Sequence, residues 1–167
     1  DTLSLHDALP IYPEFLSALV YQVLTPINCP SCKVRAMDVM SPAALIPYQT
    51  IFGLDVRDIY CASDHGCDEC LKPNIDYSNS KHAGVKGVKV SAEVILPDED
   101  MFLLLKAGKD IEARKAWRAK RIAKFDEPDM TGKEAWGHAL YDMSRGLIDP
   151  YYFEMNFGLP KLFAPKV

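Results

Sequence analysis

Long apolar runs, a strong excess of either charge, and histidine are all scarce in these 167 residues. The most apolar stretch, Phe15–Leu24, is broken by Ser17 and Gln22 and falls short of the roughly 18 consecutive apolar residues that a membrane helix requires. Net charge is −4, with 49% hydrophobic and 25% charged residues, a balance that excludes a disordered chain. The histidines do not gather with carboxylates: His138 stands alone in a predicted helix and His82 alone in a predicted loop. No glycine-rich phosphate loop, internal repeat or low-complexity tract is visible, and no nucleophile lies in a persuasive pattern with a base. Cysteine, by contrast, occurs five times. A chain near this length buries roughly 68–70% of its unfolded surface and needs no covalent staples, so the cysteines require another explanation.

Asp1–Ile11, DTLSLHDALPI, resembles an in-frame translation of the common adapter of short-read sequencing libraries, which implies a fragment of metagenomic origin. Residues 1–11 are therefore set aside as non-native, and native sequence is expected to begin at about Pro13, with Tyr12 across the junction. Because the native start is not in view, the lack of a leader says nothing of compartment; an intracellular setting is the expectation.

From residue 12 to 167 the pattern predicts one α+β unit. Pro13 followed by Phe15, Leu16, Leu19, Val20 and Val23 at helical spacing predicts a helix over 13–24. Val34–Met40 and Val56–Ala62 have the content of strands, and together they suggest a hairpin closed at both ends by cysteines. Ser41-Pro42 looks like a cap and first-turn proline, opening a short helix that Pro47 interrupts. Residues 73–84 read as a polar loop. Val88, Val90, Ala92, Val94 and Leu96 share one face at period two, with Lys89, Ser91 and Glu93 on the other, the clearest strand pattern in the chain. From Pro97 the period turns helical, with acids at 98–100, bases at 120–124 and a break expected at Gly108. Thr131-x-x-Glu134 matches a capping box for a helix over 132–145 ending at Gly146. Asp149-Pro150 and Gly158 mark the start and stop of another. The expected organisation is a cysteine-bearing β portion at 28–96 packed with a helical portion at 97–167.

Cys29-x2-Cys32 and Cys67-x2-Cys70 are paired turns, each able to offer two thiolates to one ion, and together they supply four tetrahedral ligands. Zinc suits four sulfurs, and a closed shell leaves no position for a substrate or activated water, so the site is expected to be structural. Cys-Pro-Ser-Cys-Lys at 29–33 and Cys-Asp-Glu-Cys at 67–70 resemble a zinc ribbon, although 34 residues separate Cys32 from Cys67 where about 15–20 is usual. Cys61 or His65 replacing one of the second pair is a competing ligand set; otherwise Cys61 is a buried small hydrophobe and His65 a solvated loop residue. An iron–sulfur cluster, disulfides and free thiols remain open alternatives.

Ser63 followed by Tyr77-x-x-x-Lys81 resembles the catalytic stretch of short-chain dehydrogenases. That resemblance implies Tyr77 as acid/base, Lys81 lowering its pKa and Ser63 orienting a carbonyl. Residues 106–124 carry eight Lys or Arg against two acids, which together with Trp117 and Phe125 suggests a nucleic-acid face with stacking residues. Residues 29–70 balance at −3 and would repel a phosphate backbone. The aromatic C-terminal run from Tyr151 to Phe163 fits either an interface or a segment that caps the core. The reading these features support is a non-catalytic, zinc-stabilised binding or assembly subunit with a protein partner and no membrane. A nucleic-acid binder acting through 106–124 is the alternative, and a truncated dehydrogenase the distant one.

Overall fold

The computed structural model describes residues 16–72, 75–76 and 83–163. In chain order they form β1 (Leu19–Asn28), β2 (Val34–Arg35), α1 (Ala36–Val39), α2 (Pro42–Thr50), a 3-10 turn (Val56–Asp58), β3 (Tyr60–Cys61), β4 (Val85–Ile95), α3 (Glu99–Lys106), α4 (Asp110–Ala119), α5 (Ala135–Ser144), α6 (Pro150–Phe157) and a closing 3-10 turn (Pro160–Phe163). The strands make two antiparallel two-stranded sheets, β1 with β4 and β2 with β3, so the architecture is α+β as the sequence predicts. Among the described residues no helix is long and apolar enough to cross a membrane.

The helix expected over 13–24 is instead the strand β1. Its Leu19 and Val20 fit helical spacing, but Val20, Tyr21, Val23 and Ile27 are β-branched or aromatic, and β4 supplies a matching ladder of backbone groups. Leu24 lies opposite Val90, Gln22 opposite Ala92 and Val20 opposite Val94, with a bulge between Pro26 and Asn28. Pro26 is tolerated because β1 pairs on one side alone.

The long sheet is turned the other way from its hydrophobic pattern. Thr25, Ser91, Glu93 and Ile95 face inward, while Val20, Leu24, Val88 and Val94 are each at least half exposed. The inward face is polar because α5 answers it in kind. Lys89 pairs with the buried Asp142, the Ala92 amide donates to His138 Nδ1 at 3.0 Å, and the Thr25 and Ser91 hydroxyls lie 3.4 Å apart.

Several shorter expectations are also revised. The strand predicted over 34–40 ends at Arg35, because the Ala36 amide donates to Ile59 O and starts the single turn α1. Val56–Asp58 is a 3-10 turn set by the Asp55 carboxylate, which accepts the Arg57 amide at 2.9 Å, so only Tyr60–Cys61 of the second predicted strand is extended. The capping box does not form: Glu134 itself occupies the N-cap position of α5, and the Thr131 amide is bound by Asp129. Helix α2 runs through Pro47 rather than stopping there, and the Ser41 side chain makes no cap bond. The expected pairing of the two cysteine-flanked strands does form, Val34 opposite Cys61. Gly108 separates α3 from α4, Gly146 ends α5 with φ of 66°, and Asp149 caps α6.

The main core draws Leu45, Tyr48, Leu54 and Ile59 from the cysteine portion and Leu140, Met143, Ile148 and Phe153 from the helical portion. Phe52 is its hub, with the rings of Phe125, Trp136, Phe153 and Phe163 centred 5.6–6.0 Å away. Such edge and tilted contacts suit the ring quadrupoles. The aromatic C-terminal run is therefore mostly core: Tyr152 and Phe153 are buried, and Tyr151, Met155 and Leu162 remain at the surface. A second, smaller cluster joins Ile95 to Met101, Ala113 and Trp117.

Candidate metal centre

Each cysteine pair sits on a turn closed by its own backbone. The Lys33 amide returns to Cys29 O at 3.0 Å, and the Cys70 and Leu71 amides both return to Cys67 O, at 3.0 and 2.9 Å. The first turn is held from two sides. Cys29 N donates to Gly84 O at 2.8 Å at the start of β4, and Asn28 Nδ2 donates to Tyr60 O at 3.0 Å. Lys33 reaches back to Gly146 O at 3.2 Å while its ammonium lies over the Tyr60 ring, 4.3 Å from the centroid. The second turn needs a glycine at its entrance. Gly66 has φ of 67°, and a Cβ there would lie 2.4 Å from Ala83 O, a separation no side chain could occupy without displacing backbone.

These supports bring Cys29, Cys32, Cys67 and Cys70 together with all four sulfurs within 4.8 Å of one another. Cys29 and Cys67 sulfurs are 3.8 Å apart, Cys32 and Cys70 3.7 Å, and Cys67 and Cys70 3.8 Å. Tetrahedral zinc–thiolate bonds of about 2.3 Å place neighbouring sulfurs about 3.8 Å apart. The same spacing is nearly twice a disulfide bond of about 2.05 Å, and none of the four is in a disulfide. The donor set therefore fits a single four-coordinate ion.

The four sulfurs do not share one electrostatic setting. Burial pushes the Cys32 and Cys70 thiols up, and hydrogen bonding with Cys70 adds to the rise at Cys32. At Cys29 burial acts in the same direction, but the Ser31 amide and the neighbouring sulfurs outweigh it and hold the group below the ordinary thiol value. The Cys70 thiol donates to Ala83 O at 3.0 Å; a bound ion would take the place of that proton and offset the cost of burying thiolate charge.

The competing ligands lie elsewhere. Cys61 is buried in the main core, outside the four-sulfur cluster. His65 is exposed, and its backbone N–H, with that of Gly66, is held by Ser63 Oγ at 3.3 and 3.2 Å. Ser63 thus organises the turn that leads into Cys67. Tyr77 and Lys81, its partners in the dehydrogenase resemblance, and His82 lie outside the described residues. That family's parallel doubly wound sheet is not the arrangement of the described strands, which pair antiparallel in twos.

Residues 106–124 are tied into the fold. Trp117 is 4% exposed, and Phe125 packs on Trp136 at 5.0 Å. Arg114 and Arg118 both donate to Glu134, Lys120 pairs with Asp98, and Arg121 lies over the Phe125 ring. Sequence reasoning missed the pairing of Lys89 with the buried Asp142 and the role of Glu134. Their charges sit 53 and about 20 residues from their partners, beyond any local spacing rule. No protein-family model matches this chain, and no curated protein is found to be similar to it.

Proposed function

We propose that this chain is a non-catalytic, zinc-stabilised binding or assembly subunit. The observation that carries the reading is the four-sulfur cluster at tetrahedral spacing, which fills every coordination position of a zinc ion and leaves none for a reacting group. Zinc is favoured because soft thiolates suit it and because its tetrahedral bond length reproduces the spacing. The ion would fasten the turn after β1, which carries Cys29 and Cys32, to the turn that carries Cys67 and Cys70. What is then displayed is the outer face of β1 and β4, where Val20, Leu24 and Val88 are about 60% exposed. Apolar surface of that kind on a fixed scaffold is typical of contact with a protein partner.

The nucleic-acid reading has less behind it. Its stacking residues are packed inside, its central arginines are paired with Glu134, and four thiolates on a divalent ion would leave the cysteine portion more negative still.

Elemental mass spectrometry on protein purified without chelator tests the metal half. One zinc per chain, lost in Cys67→Ser, supports it; iron, or no metal, overturns it. Affinity capture from source cells tests the partner half. A protein retained by the unaltered chain and lost by Val20→Glu with Val94→Glu supports it, and equal retention by both overturns it.

A further inference from the structure

Between the start of β1 and the end of β4, helices α3 and α4, the start of α5 and the end of α6 lies a cavity of about 670 Å³. That is within the roughly 300–1,000 Å³ of small-molecule sites. Its walls are apolar, formed by Ile95, Met101, Leu105, Trp136 and Phe157. Set into them is Glu93, only 6% exposed.

Glu93 is poorly matched by its own surroundings. Among the described residues the one cation within 4 Å is Arg114, at 3.6 Å, beyond hydrogen-bond range. Arg114 is instead drawn to Glu134 at 3.2 Å. Glu134, which also lines the cavity, is fully occupied: one oxygen takes Arg114 and Arg118, and the other takes the Trp136 indole N–H at 2.9 Å. The lining carries three acids, Glu93, Asp110 and Glu134, against one base, Arg114. The Glu93 carboxylate, with no hydrogen bond among the described residues, borders the cavity, where an entering donor would complete it.

We propose that this cavity binds a small organic ammonium compound with a compact apolar body, the ammonium donating to Glu93 and the body lying against Trp136 and Phe157. With Glu134 held by Arg114 and Arg118, the acids left at the cavity are Glu93 and Asp110, and they select a cation over an anion. The apolar walls select a ring or branched chain over a bare ammonium ion. Nothing in the metal centre is required for this, so its outcome is independent of the zinc reading.

The test is titration of the full chain, metal retained as purified, with 2-phenylethylamine at neutral pH, following the Trp136 indole N–H signal by two-dimensional NMR. 2-Phenylethanol and 3-phenylpropionate serve as neutral and anionic counterparts, and Nα-acetyl-lysinamide as a stand-in for a peptide side chain. Saturable binding of the amine is expected, about tenfold tighter than the alcohol, as a hydrogen bond to a charged group implies. Glu93→Gln should erase that tenfold preference. No saturation at millimolar amine, equal affinity for amine and alcohol, preference for the carboxylate, or tighter binding of the lysine derivative would each overturn the proposal. Should Glu93→Gln fail to fold, the preferences of the unaltered protein decide the matter.

Discussion

The Asp149 carboxylate joins two parts of the chain 87 residues apart: Oδ2 accepts the Ala62 amide at 2.6 Å while Oδ1 accepts the Tyr151 amide at 2.7 Å. One oxygen caps α6, and the other holds the segment that leads from β3 toward the second cysteine turn. Asp149→Ala removes both acceptors in a site that is 8% exposed. Losing a helix cap costs about 1 kcal/mol, and stranding a buried amide roughly 1–3 kcal/mol more. A loss of about 2–4 kcal/mol is expected in urea unfolding, with Asp149→Asn recovering the cap but not the full strength of the charged bond. Equal stability of Asp149→Ala and the unaltered chain would refute the linkage.

Cys61 and Cys67 lie six residues apart yet should respond differently to replacement by serine. Cys67→Ser removes one corner of the four-sulfur set and is expected to release the metal with a large fall in melting temperature, since structural zinc contributes roughly 10–16 kcal/mol in small peptides. Cys61→Ser puts a hydroxyl into the main core, a change expected to cost about 1–3 kcal/mol with metal content intact. Metal loss in Cys61→Ser alone would reverse the assignment.

The paired x2 spacing made the metal cluster readable from sequence, because two thiolates on one tight turn constrain each other without help from the rest of the chain. Caps and stops that depend on one residue's own conformation, Gly108, Gly146, Asp149-Pro150 and Gly158, were readable for the same reason. What escaped reading depends on distant partners. β1 is a strand because β4 lies beside it, and Glu134 is drawn from the capping box by Arg114, Arg118 and Trp136. Local propensity is a weak prior when such partners exist.

Tyr152 should limit stability in alkali. Burial pushes its phenol up to about 12, with the charge of Asp149 adding to the rise. A group whose folded pKa lies above its unfolded value, here about 10, contributes stability that is complete below pH 10. That stability declines as pH rises from about 10 to 12, where the unfolded chain ionises first. Tyr152→Phe is therefore expected to flatten this part of the pH–stability profile by roughly 2 kcal/mol between those limits, as denaturant midpoints at pH 9, 10 and 11 would reveal. An unchanged slope would show that Tyr152 ionises alike in both states.

The outward turn of the long sheet leads to a paired prediction about neighbours. Val94 is half exposed and Ser91 fully buried, although by hydrophobicity their places should be exchanged. Val94→Lys is expected to change stability by no more than about 1 kcal/mol, the span of strand preference at an exposed site. Ser91→Val takes from Thr25 the hydroxyl 3.4 Å away and leaves a buried polar group alone, at a cost of about 1–3 kcal/mol. Were the apolar face the buried one, lysine at 94 would cost several kcal/mol and valine at 91 almost nothing. The order of the two unfolding midpoints therefore separates the two orientations. The physical reason for the observed order lies in α5: with Asp142 and His138 already directed at the sheet, only a polar strand face can meet them without stranding a charge.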